Sequence, residues 1–156
     1  MPEKCRLFVA AAAGAAGAFA LASLLRRRRR KRIEIVSTKA ACPPAGHYAQ
    51  ATVYGDRLYV SGLLPVTAES ERLEGAPFEA QAALVLRNLG AVLEAAGADA
   101  SRLISTRVYI ADIDNWPAFN KMYAKFCGDH RPARAVVPVP HLHYSLALEV
   151  EAIAAL

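Results

Sequence analysis

Apolar and polar residues follow two different periods along the chain, and each period predicts one kind of secondary structure. In two stretches the apolar residues recur three and four positions apart, which is typical of one face of an α-helix. Other stretches alternate apolar and polar residues, which is typical of a half-buried strand. The predicted helices are 78–96 and 116–126, and the predicted strands are 51–54, 58–61, 103–111, 133–137 and 146–154.

This order of elements, β-β-α-β-α-β-β, predicts an α+β fold with a single mixed β-sheet and two helices on one face. Breaker residues support the boundaries. Gly97 follows the first helix, and Pro117 lies at the start of the second. Pro138 and Pro140 should end the fourth strand, because proline has no N–H to donate. The other face of such a sheet needs a cover, and another subunit is the simplest one.

The first 32 residues differ from the rest of the chain. The nineteen residues 7–25 carry no charge, and residues 26–32 are all Arg or Lys. A helix of that length spans about 28 Å at a rise of about 1.5 Å per residue, close to the thickness of the bilayer core. We therefore expect segment 1–32 to be a membrane anchor or targeting segment. The basic run should keep the domain on the cytosolic or matrix side, with the mitochondrial membrane favoured.

Two other interpretations of segment 1–32 stay open. A mitochondrial presequence usually spreads its arginines along an amphipathic helix, and a cleaved secretory signal places its charges before the apolar part. The alanine and glycine residues of 7–25 would also allow close packing against another helix, so partners in a membrane complex are a further expectation.

Residues 33–47 are predicted to be a linker and lead-in to the domain, because Pro43, Pro44 and Gly46 break any regular element there. The folded domain is accordingly placed at residues 48–156. A chain of 156 residues is long enough for one ordinary domain and not for two.

The net charge of +5 is unevenly distributed. Residues 1–32 hold nine Lys/Arg and one Glu and carry +8, whereas residues 33–156 hold ten Lys/Arg and thirteen Asp/Glu and carry −3. An acidic domain argues against a nucleic-acid partner, since affinity for nucleic acid rests largely on cations that contact phosphate. Cys5, Cys42 and Cys127 form no CxxC and suggest no disulfide framework, which favours a reducing compartment.

The histidines are the first candidates for chemistry. His130, His141 and His143 lie near the last predicted turn, and the alternation of the last two could place both rings on one face. A metal site needs a third ligand, for which His130 is poorly placed, so ordinary loop histidines and no metal are expected. The chain also contains no nucleotide-binding glycine loop and no HExxH.

Charged residues inside two apolar strands are a stronger signal. Arg134 and Glu149 each have apolar neighbours, where burial of a charge is costly. The planar fork of Arg134 suits a carboxylate, and Glu149 shares a strand face with Glu151. A carboxylate near a fixed guanidinium can hold a water and act as a general base. The spacing alone favours a structural Arg134–Glu149 pair, and the catalytic interpretation stays open.

Several short motifs of the domain, in order and at matching spacing, resemble one family. The motifs are Gly46-His47-Tyr48-Ala49-Gln50, Val60-Ser61-Gly62-Leu63-Leu64-Pro65, Leu93-Glu94-Ala95-Ala96-Gly97, Phe119-Asn120 with Tyr123, Pro132-Ala133-Arg134, and Glu149-Val150-Glu151-Ala152-Ile153-Ala154. Through them the chain, from about residue 39 to residue 156, resembles the RidA family, also called YjgF or L-PSP.

The resemblance implies a chorismate-mutase-like homotrimer with active-site clefts between subunits. It implies hydrolysis of reactive imines and enamines, such as 2-aminoacrylate, to a 2-keto acid and ammonia, without metal or cofactor. Arg134 would grip the substrate carboxylate, and Glu149 would position or activate the attacking water. The other site residues implied are Tyr48, Ser61 and Gly62, lining the cleft, and Asn120, supporting its wall.

Some positions depart from the family pattern and indicate a divergent subgroup. Leu63 stands where glutamine is usual, and Ala135-Val136 stands where Ser-Cys is frequent. His47 and the run His141-Leu142-His143-Tyr144 also differ. Two alternatives to the deaminase remain: an accessory subunit of a membrane-bound complex with little activity, and a ribonuclease, against which the acidic domain argues.

Overall fold

The computed structural model describes residues 32–156, which form one mixed sheet with two helices packed on it. The strands are β1 (Ile33–Val36), β2 (Ala51–Tyr54), β3 (Arg57–Leu63), β4 (Leu103–Ile110), β5 (Ala133–Pro138) and β6 (Leu148–Ala155). The helices are α1 (Phe78–Ala95) and α2 (Trp116–Cys127). Short 3-10 turns lie at Ala100–Arg102, Ile113–Asn115 and His143–Ser145.

The strands are ordered β1-β2-β3-β6-β4-β5 across the sheet. Only the β4–β5 pair is parallel, and α2 makes the crossover that a parallel connection needs; the remaining pairs are antiparallel. The predicted α+β class, with a single mixed sheet and two helices, is confirmed.

One face of the sheet carries the core. Along β6 the buried residues alternate with half-buried ones, so Leu148, Val150, Ala152 and Ala154 pack toward the helices. Both helices contribute to the same core, α1 through its apolar stripe and α2 through Phe119 at its centre. We call this the helix face, and the opposite one the open face, because no helix of the described range covers it.

The predicted linker at 33–47 is wrong in its first part. Residues 33–36 form β1, which pairs with β2 from Ile33–Tyr54 to Val36–Ala51. The strand has only four residues, so its alternation is too short to stand out in the sequence. The prolines that predicted a linker lie farther on, beyond the end of the strand.

The segment that follows β1 is also hydrogen-bonded to the domain. The buried amide of Gln50 accepts a hydrogen bond from the Thr38 N–H at 2.7 Å. It donates to the carbonyls of Thr38, Ala41 and Cys42 at 3.1, 3.4 and 2.8 Å. The packed domain therefore begins before residue 48, because these contacts bury part of the segment that precedes it.

The proposed membrane span at 7–25 lies outside the described residues. Within 32–156, no helix combines the length and the apolar character needed to cross a membrane.

Candidate active site

Arg134 projects from β5 on the helix face. Its ladder partner is Thr106 of β4, which is buried against α2. The guanidinium Nη2 donates to Oδ1 of Asn120 on α2 at 2.7 Å. The guanidinium carbon lies 4.9 Å from the ring centroid of Tyr123, one helical turn farther along. The structure therefore brings Arg134 and Asn120 into direct contact.

The charge of Arg134 has no carboxylate partner among residues 32–156. Arg107 and Glu151 form an ion pair on the open face. Arg134 contacts Asn120 and Tyr123, which are neutral groups. Such groups orient a guanidinium without cancelling its charge. The structural Arg134–Glu149 pair that spacing alone favours does not form within one chain, and no described carboxylate neutralises Arg134.

Glu149 projects from β6 on the open face. Its ladder partner is Tyr109, and Glu151 follows two residues later on the same face, as the alternation predicted. Its side chain lies over Gly62 of β3. A Cβ added at Gly62 would approach the Glu149 carboxyl carbon to 2.9 Å and its Cγ to 3.3 Å. Gly62 is therefore a glycine because the Glu149 carboxylate occupies the space of a side chain.

The environment of Glu149 disfavours its ionised form. Burial raises the pKa of the Glu149 carboxyl above its ordinary value, the negative charge of Glu151 raises it further, and the charge of His143 opposes both. A carboxyl with a raised pKa accepts a proton more readily than an ordinary surface carboxylate does.

This raised pKa predicts a pH-dependent stability. From the ordinary pKa of 4.5 up to the raised value, the folded state holds more protons than the unfolded state, so stability falls as pH rises through that window. Glu149→Gln removes the cost of the buried charge. We expect its Tm to exceed that of the wild type at pH 7 and this advantage to vanish at pH 4, measured by thermal denaturation across pH. Glu94→Gln, on an exposed position of α1, is the matched control, and a pH-independent difference for Glu149→Gln would contradict the assignment.

Arg134 and Glu149 do not meet within one chain. The ladder between β4 and β6 is regular from Thr106 to Ile110, so Thr106 and Tyr109 point to opposite faces of the sheet. Arg134 shares the face of Thr106, and Glu149 shares the face of Tyr109. The two strongest candidates for catalysis therefore lie on opposite sides of the same sheet.

The remaining predicted residues divide between these two places. Ser61 directly precedes Gly62, and its hydroxyl donates to the Ala49 carbonyl at 2.7 Å. Tyr48 lies in the loop before β2, where its half-exposed hydroxyl accepts from the Ala45 N–H at 3.1 Å. Gly62 therefore belongs with Glu149 and Asn120 with Arg134, whereas the hydroxyls of Ser61 and Tyr48 bond to nearby backbone groups.

The positions that depart from the family pattern have different environments. Leu63 is 2% exposed and packs in the core, so the departure there adds an apolar core contact. Val136 also packs against the core, on the same face as Arg134. Ala135 lines the open face instead.

Sequence patterns missed a cleft of about 440 Å³ on the open face. Tyr59, Arg107 and Glu151 line it, and so does the β5 stretch of Ala133, Arg134 and Ala135. Arg107 donates to the Glu151 carboxylate within it. The direct pairing of these two residues on adjacent strands depends on register, which the separate strand patterns do not reveal.

The histidines do not gather into a metal site in the described range. His130 places Nε2 2.6 Å from the carbonyl oxygen of Leu103, which joins the loop before β5 to the start of β4. Among residues 32–156 no group of three or more His, Cys, Asp or Glu side chains is arranged to hold a metal ion.

The chain is similar in sequence and structure to known proteins. The family model described as Endoribonuclease L-PSP matches residues 38–156. The 2-iminobutanoate/2-iminopropanoate deaminase of Rattus norvegicus is 34% identical over 121 residues, covering 78% of this chain and 88% of that protein. Protein MMF1, mitochondrial, of Saccharomyces cerevisiae is 36% identical over 119 residues, covering 76% of this chain and 81% of the relative. The crystal structure of E. coli TdcF with bound serine has a TM-score of 0.74 at 32% identity, covering 79% of this chain and 98% of that one.

The sheet, its two helices and the similarity to solved structures define a single α+β domain of the L-PSP type. The chain belongs to the Endoribonuclease L-PSP family, and the resemblance to RidA proteins is confirmed. Relatives in this family include reactive-intermediate deaminases.

Proposed function

We propose that this protein hydrolyses small 2-imino acids, and the enamines in equilibrium with them, to 2-keto acids and ammonia. The observation that carries the proposal is the Arg134 cation, which neutral groups hold in place while its charge stays uncompensated in the described range. Such a group binds a small carboxylate well, because a guanidinium can offer two parallel charge-assisted hydrogen bonds. The name of the rat relative points to the same substrate class.

The main task of the protein in this reaction is to position the imine and the attacking water. Arg134 would hold the substrate carboxylate, and Glu149 would accept a proton from the water that adds to the imine carbon. That proton would pass to the imine nitrogen, which gives a carbinolamine. Glu149 would then move the proton of the carbinolamine hydroxyl to the nitrogen, so that the C–N bond breaks and ammonia leaves as the carbonyl forms. Overall one imine and one water give one keto acid and one ammonia. Positioning of two reactants supplies most of the acceleration such a reaction needs.

The site would be completed by a second copy of the chain. Arg134 and Glu149 lie on opposite faces of their own sheet, so one chain cannot bring both to one substrate. A neighbour docked on the open face would present its Arg134 edge to the Glu149 side, as in the homotrimer that the family resemblance implies. The open face supports this arrangement, because its cleft lies between Glu151 and the β5 edge.

The direct test is hydrolysis by the full chain. 2-Iminobutanoate can be generated in place by oxidation of L-2-aminobutanoate with an L-amino-acid oxidase, and semicarbazide traps the imine that survives. We expect the protein to reduce the trapped imine in proportion to its concentration and to raise the rate of ammonia release. Trapping that is unchanged at any protein concentration would refute the proposal.

Gly62→Ala gives a sharper version of the test. The added methyl group would enter the space of the Glu149 carboxylate and push it aside, while the flexible end of that side chain can yield without unfolding the sheet. We expect kcat/KM to fall at least tenfold, which corresponds to about 1.4 kcal/mol of lost transition-state stabilisation. Tm should change by only a few degrees, and both quantities are measured on the same preparation.

Gly90→Ala is the matched control for that substitution. Its methyl group would meet only Phe126, at an ordinary 3.6 Å. Activity of Gly90→Ala should equal that of the wild type. Equal activity of Gly62→Ala and Gly90→Ala would contradict the role given to Glu149.

Placement in the mitochondrion is part of the proposal. The mitochondrial name of the yeast relative and the basic run at 26–32 support it. The anchor at 7–25 and any partner in a membrane complex stay predictions, which alkaline extraction of isolated organelles would test. An inert protein that remains in the membrane pellet with a fixed partner would favour the accessory-subunit alternative.

A further inference from the structure

We propose that Tyr123 is a positioning residue that fixes the guanidinium of Arg134 in the orientation needed to bind a carboxylate. This inference rests on the proposed function, because it assigns Arg134 to the substrate. Tyr123 would not contact the substrate itself; it would act through Arg134.

Two contacts with different geometry define the position of the guanidinium. Asn120 accepts a hydrogen bond from Nη2 at 2.7 Å, and the Tyr123 ring centroid lies 4.9 Å from the guanidinium carbon. A single hydrogen bond leaves the planar group free to swing about the bonded atom. A ring beside it restricts that motion, because a cation is attracted to the π-face of an aromatic ring. An arginine oriented in advance loses less conformational freedom when a ligand binds.

The Tyr123 ring is itself held rigidly. It is 5% exposed, and its hydroxyl is hydrogen-bonded to the Thr106 hydroxyl at 2.7 Å. On the same helix it stacks with Phe119 at a centroid distance of 5.6 Å. Thr106 is also the ladder partner of Arg134. The ring is therefore hydrogen-bonded to the residue that pairs with Arg134 in the sheet. This bond restrains the distance between the Tyr123 ring and the Arg134 guanidinium.

Tyr123 can do this without competing for the charge of Arg134. Burial raises the pKa of Tyr123 to about 12, so the hydroxyl stays protonated over the working range of pH. A carboxylate at this position would pair with the guanidinium and cancel the charge that a substrate needs. A neutral aromatic ring provides orientation and leaves that charge available.

Three variants separate this role from ordinary core packing. Tyr123→Phe keeps the ring and loses the bond to Thr106, whereas Tyr123→Leu loses the ring. Phe126→Leu is the matched control: it removes another aromatic ring of α2, 6.5 Å from that of Tyr123. Each full-length variant is characterised by its Tm, by its Kd for 2-oxobutanoate and by the NMR resonance of the Arg134 Nε–H, which Arg134→Gln identifies by its absence.

We expect Tyr123→Leu to raise the Kd for 2-oxobutanoate about tenfold, which corresponds to about 1.4 kcal/mol. The Arg134 Nε–H resonance should at the same time lose the ring-current shift that the tyrosine imposes. Tyr123→Phe keeps the ring but loses the bond that holds it to Thr106, so its Kd and its Arg134 resonance should lie between those of the wild type and Tyr123→Leu. Phe126→Leu should bind like the wild type even where its Tm falls.

Two outcomes would overturn the inference. One is a Tyr123→Leu protein that binds 2-oxobutanoate as well as Phe126→Leu does; the other is an unchanged Arg134 resonance in Tyr123→Leu. A wild type that neither hydrolyses the imine nor binds 2-oxobutanoate refutes the proposed function instead. In that case the resonance alone still decides whether Tyr123 orients Arg134.

Discussion

Arg134→Gln is expected to lower kcat/KM for 2-iminobutanoate about a thousandfold. Each hydrogen bond to a charged group contributes about 1.5–3 kcal/mol, and a bidentate pair has two of them. The loss of about 4 kcal/mol corresponds to a factor of about a thousand. The kcat/KM of Arg134→Lys should lie between those of the wild type and Arg134→Gln, since an ammonium keeps the charge and lacks the planar fork.

The fold should tolerate the change at this position. Arg134 is only half-buried, and its contacts with Asn120 and Tyr123 are at the edge of the sheet. Arg131→Gln is the matched control, because Arg131 is exposed in the loop that precedes β5. Steady-state assays and thermal denaturation of the wild type and the three variants check the prediction. It would be contradicted if Arg134→Gln and Arg131→Gln had the same kcat/KM.

Periodicity predicted most of the fold, because long elements repeat their pattern several times. Helix α1 buries the stripe that its spacing indicated, and both β4 and α2 end within one residue of their predicted limits. Strand β1 escaped notice because four residues hold only two repeats of an alternating pattern. Its stability comes from the ladder with β2 and from the Gln50 contacts behind it, and both are tertiary.

The candidate site was predictable only in part. Alternation along β6 placed Glu149 and Glu151 on one face, because both belong to one strand. It could not relate Glu149 to Arg134, since that relation depends on the register of β4 against both β5 and β6. The sequence also could not show why position 62 is a glycine. The Glu149 side chain lies above Gly62, and Glu149 is distant from Gly62 along the chain.

The opposite placement of Arg134 and Glu149 predicts that two inactive variants restore activity when they assemble together. If each site takes its arginine from one chain and its glutamate from a neighbour, then an equal mixture of Arg134→Gln and Glu149→Gln chains rebuilds intact sites. Random assortment leaves about a quarter of the sites with both residues native. The mixed assembly should therefore recover about a quarter of wild-type activity, far above either parent alone. Co-expression of the two chains in equal amounts, with one tag that both carry, provides the mixture and keeps the random assortment.

A second mixture decides between the two possible arrangements of the site. The doubly substituted chain, Arg134→Gln with Glu149→Gln, is assembled in equal amount with the wild-type chain. A site shared between chains would again be intact in about a quarter of cases, whereas a site within one chain would be intact in about half. A site within one chain would also leave the first mixture as inactive as its parents, because every chain in it lacks one residue. Recovery in the first mixture, together with about a quarter in the second, would therefore mean that assembly creates the active site, since neither face of the isolated sheet carries both residues.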